Sequence, residues 1–343
     1  MKTAAQLWLG IALLLIGLVG PNSALATAAK LELGFFPQGS PAIAPANIAQ
    51  EPSLLRLEIP YFAEVAAKHY QALLENPKLN EQAKEDLQRC QTQKAASCWI
   101  HFGQERGTAF LIGDGSEAWT NCHLVASWIE YRKQELLFAG TKLENLWLEL
   151  RASSIPLQLT DSQGNLRKSS EESALFSAGV FKGMKDPATI YCSPADDAVK
   201  IRFARSLGQG LALSRQKLRD GEILSLGGYP RPTDSRGLGK ESDGKNFYWT
   251  KGGFLDRVSY DEYFGKNNDL GFILNDSYTS ILLADSSQGM SGTAVLNATG
   301  EVVGIYKGFL PADREKKDVP RASLFLTVDT LRFIEIYSES LFR

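Results

Sequence analysis

The chain has 343 residues, 44% of them hydrophobic and 22% charged. That is enough for one large or two moderate cored domains, and too apolar for a disordered chain. A net charge of -2 and a pI near 6.0 exclude an electrostatic case for nucleic acid, and no basic run supplies one locally.

Residues 1–28 carry Lys2, an apolar stretch from Leu7 to Val19, a break at Gly20-Pro21, and small residues at Ala24, Ala26 and Ala28. This is the pattern of a cleaved secretory signal peptide, so a secreted or periplasmic protein is expected. The apolar run falls short of the about 20 residues a spanning helix needs, and no later segment reaches that length. Stable membrane insertion after cleavage is therefore not expected. Export permits disulfides among Cys90, Cys98, Cys122 and Cys192, and the three connectivities stay open. Cys90 with Cys98 would close a small loop; Cys122 with Cys192 would tie the segment around His123 to the segment around Asp197, and Cys122 is equally readable as a small buried residue. No Cys-x2-Cys or paired-histidine spacing suggests a metal, and no motif asks for a cofactor.

Residues 29–52 are rich in Ala, Pro, Gly and Ser and read as an extended linker. Residues 53–96 read as a helical N-terminal extension. Phe62, Val65, Ala66, His69 and Leu73 recur at helical spacing, bounded by Pro60 and by Asn76-Pro77. A second helix is expected from Asn80, as N-cap, to about Cys90. His69 then packs in an apolar face. Two roles are open to these helices: holding the remainder latent, or docking a partner.

From Ser97 the period shortens to alternation. Strands are expected at 98–102, 107–112, 146–150, 198–203, 223–227, 271–274, 279–283, 294–297, 301–307 and 323–328, a density that suggests barrels or sandwiches. His101 falls in the first of these and reads as structural. Residues 151–190 and 231–270 are polar, turn-rich and long, and read as loops that ring a site or decorate a surface. Asp329 to Tyr337 reads as a helix capped by Asp329, with no peptide-binding module after it.

The chemistry centres on Asp285-Ser286-Ser287-Gln288-Gly289-Met290-Ser291-Gly292, a loop between two apolar runs. Ser291 stands between glycines that let the amides of Gly289 and Ser291 face one developing oxyanion. A serine needs a base, and all three histidines, His69, His101 and His123, precede it. The α/β-hydrolase order, with histidine after serine, is thereby excluded, and Thr293 breaks that elbow. His123 closes Thr120-Asn121-Cys122-His123, after the strand-like Gly107 to Ile112 and a turn at Gly113-Asp114-Gly115.

With Thr120 to His123 and Gly289 to Gly292 in this order, residues 97–343 resemble the trypsin-like, chymotrypsin-fold serine peptidases. The resemblance implies an all-β fold with added helices: two six-stranded antiparallel β-barrels, a helical N-terminal extension and a C-terminal helix. It implies a serine endopeptidase acting on protein or peptide substrates, with His123 as base, an aspartate orienting it, and Ser291 as nucleophile. The family's acid opens a strand matched by Pro194-Ala195-Asp196-Asp197-Ala198-Val199-Lys200; Asp197 is favoured and Asp196 is the alternative. By the same resemblance Asp285 lies at the floor of the primary specificity pocket and favours Lys or Arg before the cut. Met290 stands where zymogen-activated members have an aspartate, and Lys307 where the family has a small residue. The second reading is a catalytically silent member serving as a binding module.

Overall fold

The computed structural model describes residues 36–38, 40–77, 79–124, 137–138, 141–142, 157–172, 174–179, 181–182, 191–192, 197–231, 247–255, 279–310 and 322–339. The expected signal peptide and the strands expected at 146–150 and 271–274 lie outside them. Two antiparallel sheets carry the fold. In chain order the strands are β1 (Phe36–Pro37), β2 (Leu54–Ala66), β3 (Ser97–Ile112), β4 (Glu117–Thr120), β5 (Gln158–Thr160), β6 (Leu166–Lys168), β7 (Ala174–Gly179), β8 (Val199–Phe203), β9 (Ile223–Gly228), β10 (Tyr248–Leu255), β11 (Thr279–Leu283), β12 (Ala294–Leu296), β13 (Val302–Leu310) and β14 (Ala322–Thr327). The helices are α1 (Tyr70–Leu74), α2 (Glu81–Thr92) and α3 (Val328–Glu339).

The first sheet runs β6-β5-β2-β3-β4-β8-β7, and the second β1-β10-β9-β12-β13-β14-β11. In the second, β10 also pairs with β11 through Gly253↔Leu283, so six strands close into a barrel with β1 attached outside. Among the described residues the first sheet stays an open, curled layer. Alternation along each strand sorts side chains between separate cores. Leu55, Leu57, Ile59, Ala109, Leu111 and Ala118 fill the first sheet's concave face. Leu54, Phe110 and Trp119, one residue out of phase, turn the other way and meet Trp249, Leu296, Ile305 and Leu326 of the barrel, with Leu331 and Ile334 of α3. Trp119 and Trp249 are both fully buried there, and truncating either would cost about 3–5 kcal/mol.

Three expectations are corrected. The helix expected over Tyr61 to Leu73 is strand as far as Ala66, because β2 pairs with β3 along its whole length and its first half already alternates with Leu55, Leu57 and Ile59 inward. Pro60 is tolerated because, beyond the β5 pairing at Glu58, β2 has a neighbour on one side only among the described residues. The linker is not an independent tether where it is described: β1 pairs with Trp249 and Tyr248, Ile43 enters the core between the sheets, and buried Glu51 accepts from Trp249 Nε1 at 2.6 Å. The loop expected at 231–270 contains β10, which closes the barrel, and the one at 151–190 contains β5, β6 and β7.

The β2–β3 ribbon ends in a small helical cap. The Asn80 side chain accepts from Ala83 N at 2.8 Å, the expected N-cap, and α2 buries Ala83, Leu87 and Cys90 against Val65, Cys98 and Ile100. A Cys90–Cys98 disulfide closes the cap onto β3. Cys122 is disulfide-bonded as well; the side chain of Cys192 lies outside the described set.

Candidate active site

The base side is built by strand register. β4 and β8 are antiparallel with Thr120 opposite Val199, so the residues just after β4 and just before β8 emerge side by side. They are His123 and Asp197. The Asp197 carboxylate accepts from the His123 backbone N–H at 2.8 Å through Oδ1 and meets His123 Nδ1 at 2.7 Å through Oδ2. Buried Asn121 donates its side-chain amide to the Asp197 carbonyl at 2.7 Å, fixing the aspartate's backbone in turn. The carboxylate is largely sequestered, with its side chain 10% exposed, whereas the imidazole is 45% exposed. Nδ1 is thus committed inward, to the carboxylate. Asp196, the alternative acid, lies outside the described residues.

The nucleophile side is built by backbone. Ser291 sits in the loop from β11 to β12, and its carbonyl accepts from Thr108 N on β3 at 2.8 Å. Gly292 has φ +87°, and a Cβ there would lie 2.2 Å from the Thr108 carbonyl oxygen, 2.5 Å from Thr120 Oγ1 and 3.0 Å from Asn121 N. No side chain fits. A Cβ on Gly107 would likewise meet Leu124 Cδ1 at 2.2 Å and Ser291 O at 3.0 Å. The residue after Ser291 therefore touches the backbone two positions before His123, and the two loops converge over Gly107 and Thr108. Thr120 Oγ1 braces the junction by donating to Thr108 O at 2.8 Å. The Ser291 side chain takes no hydrogen-bond partner among the described residues.

Gly289 is fixed through its preceding peptide. The Gln288 carbonyl accepts from Arg231 N at 2.8 Å, and a trans peptide points its N–H opposite its carbonyl, so this bond sets the direction of the Gly289 amide. Gly289 has φ +93°, and a Cβ there would meet Tyr229 O at 2.4 Å. Its own carbonyl accepts from Thr108 Oγ1 at 3.2 Å. Among the described residues, the amides of Gly289 and Ser291 donate to no backbone carbonyl. Two amides so placed, one of them the serine's own, are what a developing oxyanion requires. Arg231 also forms an ion pair with Glu105 of β3, and Tyr229 Oη donates to Leu54 O at 2.9 Å, so the segment that holds Gly289 is pinned to the opposite sheet.

The remaining expected residues fall as follows. Asp285 is half-buried at the start of the same loop. Lys307 donates to Thr279 Oγ1 at 3.0 Å. His101 gives its backbone N–H to buried Asp86 of α2 at 2.9 Å, and His69 ends a short helical turn in the cap; neither joins Ser291. Arg231, Asn121 and Tyr306 were not singled out from the sequence, because each acts through a partner distant along the chain. Among the described residues no cluster of His, Cys, Asp and Glu could hold a metal.

No family model and no curated protein matches the chain. Among solved structures it is similar to the active form of the Rv3671c protease from M. tuberculosis, at 15% identity and TM-score 0.41, covering 86% of this chain and 85% of that one. It is similar to the HtrA-type protease AlgW with a decapeptide at 14% identity and TM-score 0.44, covering 84% and 65%. It is similar to a serine endoprotease from Yersinia pestis at 11% identity and TM-score 0.41, covering 84% and 63%. These likenesses are distant, and the chemistry assigned to this chain rests on its own residues.

Proposed function

We propose that the chain is a serine endopeptidase. The observation that supports the reading is the close approach of Gly292 to Asn121, which sets the Ser291 loop against the turn that carries His123, whose Nδ1 meets Asp197. In the proposed reaction His123 Nε2 takes the proton from Ser291 Oγ as the hydroxyl attacks the scissile carbonyl. Asp197 keeps the proton on Nδ1 and stabilises the imidazolium without itself being protonated. The amides of Gly289 and Ser291 receive the developing oxyanion, His123 returns its proton to the leaving amine, and water then releases the acyl group from Ser291 by the same steps in reverse.

Two finer claims accompany this reading. One is export, which the residues 1–28 pattern motivates and the Cys90–Cys98 disulfide supports, since such bonds persist in oxidising compartments. Among the described residues, no helix is long and apolar enough to cross a membrane. The other is the side chain accepted before the cut: a preference for Lys or Arg requires that the substrate reach Asp285.

Labelling with a fluorophosphonate probe tests the activity. Modification at Ser291 in the folded protein, lost in His123→Ala, is the expected result. Absence of labelling in protein that keeps its native melting transition would support the binding-module reading instead.

A further inference from the structure

When Ser291 attacks a carbonyl, the side chain of the residue bearing that carbonyl must find room beside the nucleophile loop. The loop's neighbour there is β13. Gly292 N donates to Tyr306 O at 2.9 Å and Tyr306 N donates to Thr293 O at 2.9 Å, so Tyr306 is the strand residue locked beside the nucleophile turn. Its ring is 1% exposed and packs in one cluster with Met290, the residue before Ser291, and with Leu282, Ala284 and Phe325. The phenol spans from β13 to the loop's opening segment, where Tyr306 Oη donates to Ser286 Oγ at 3.0 Å.

The hydroxyls beyond it form a network. Ser286 Oγ lies 2.8 Å from Ser323 Oγ, which lies 2.9 Å from the Ala284 carbonyl. Tyr306, Ser286 and Ser323 thus form one buried hydroxyl network against the Ala284 carbonyl. Ser286 and Ser323 are both 0% exposed. A recess reaching from Ser291 to Asp285 would expose Ser286, the next residue in the chain. The buried Tyr306 ring and the hydroxyls behind it stand in that volume.

Resting on the peptidase reading, we propose that Tyr306 restricts the side chain before the cut to a small one, of the size of glycine, alanine or serine, and screens Asp285 from the substrate. The preference for Lys or Arg drawn from Asp285 alone is thereby replaced by a steric limit.

A cleavage-site profile of the full chain on a mixed peptide library tests this, with fluorophosphonate labelling run in parallel. The expected wild-type profile is cleavage after small residues, with kcat/KM at least about tenfold lower after Lys, Arg, Leu or Phe. Tyr306→Ala is expected to raise cleavage after large residues by about tenfold or more, while Tyr306→Phe, which keeps the ring, retains the small-residue profile. Tyr306→Val serves the same purpose should the alanine variant not fold. Labelling at Ser291 combined with wild-type cleavage after Lys or Arg, or an unchanged profile in Tyr306→Ala, overturns this inference and leaves the peptidase reading intact. Absence of both labelling and cleavage overturns the two together.

Discussion

The two sides of the candidate site are held by different physics. His123 is held through polar side chains: a buried carboxylate takes both its ring and its backbone amide. Ser291 is held through main chain, by carbonyl and amide bonds to Thr108 and Tyr306 and by glycines at 289 and 292 that allow close approach. The base side orients a ring and its tautomer, so an isosteric change there should impair chemistry and spare the fold. The nucleophile side has no such slack, because added volume pushes one sheet away from the other.

The largest expected effect belongs to the nucleophile itself. Ser291→Ala should lower turnover by about 10^4 to 10^6 while leaving the melting transition in place; steady-state kinetics alongside calorimetry would show both, and near-wild-type turnover would remove Ser291 from its role. Asp197→Asn comes next. Its shape is kept, but an amide facing Nδ1 favours the wrong tautomer, so a loss of about 10^4 in kcat with little change in stability is expected.

Gly292→Ala should separate the two sides most clearly. The added methyl would meet the Thr108 carbonyl at 2.2 Å in a backbone at φ +87°, so stability should fall by about 2–4 kcal/mol together with activity. Denaturant melts that matched wild type would show that the junction is looser than described.

The smallest effect concerns the strands beneath the base. Glu117 on β4 pairs with Lys200 at 3.0 Å and Arg202 at 2.9 Å on β8, and Lys200 reaches Glu335 of α3 at 2.9 Å. Burial raises the Glu117 carboxyl, but the hydrogen bonds and charges of Lys200 and Arg202 outweigh it and hold the group below 4.5. A folded pKa below the unfolded one gives stability that is present above about pH 4.5 and lost as pH falls through the folded value. Thermal melts of wild type and Glu117→Gln should therefore differ above about pH 4.5 and converge as pH falls through the folded value; parallel curves would assign the acid sensitivity elsewhere.

Much of the site was legible because its signals are local. Thr120 to His123 and Gly289 to Gly292 are short turns whose residue types are dictated by close approach and φ, and Asn80 as N-cap depends only on the amide three residues on. β2 was not legible. Its second half repeats apolar residues at helical spacing, and only its pairing with β3 resolves the period. β10 was hidden for a related reason: its Gly252-Gly253 pair, inside a polar, turn-rich stretch, reads as loop until β9 and β11 flank it.

The amino-acid sequence by itself determined the Ser291 turn, the His123 turn, the strands expected at 198–203, 223–227, 279–283, 294–297, 301–307 and 323–328, and the helices α2 and α3, since each follows from spacing and turn chemistry within a dozen residues. Tertiary structure alone decided that Asp197 meets His123 through the β4–β8 register, that Arg231 orients the Gly289 amide, and that Tyr306 closes over Ser286. Those contacts join residues far apart in the chain, and hydrogen bonding and packing select such partners only after the sheets have formed.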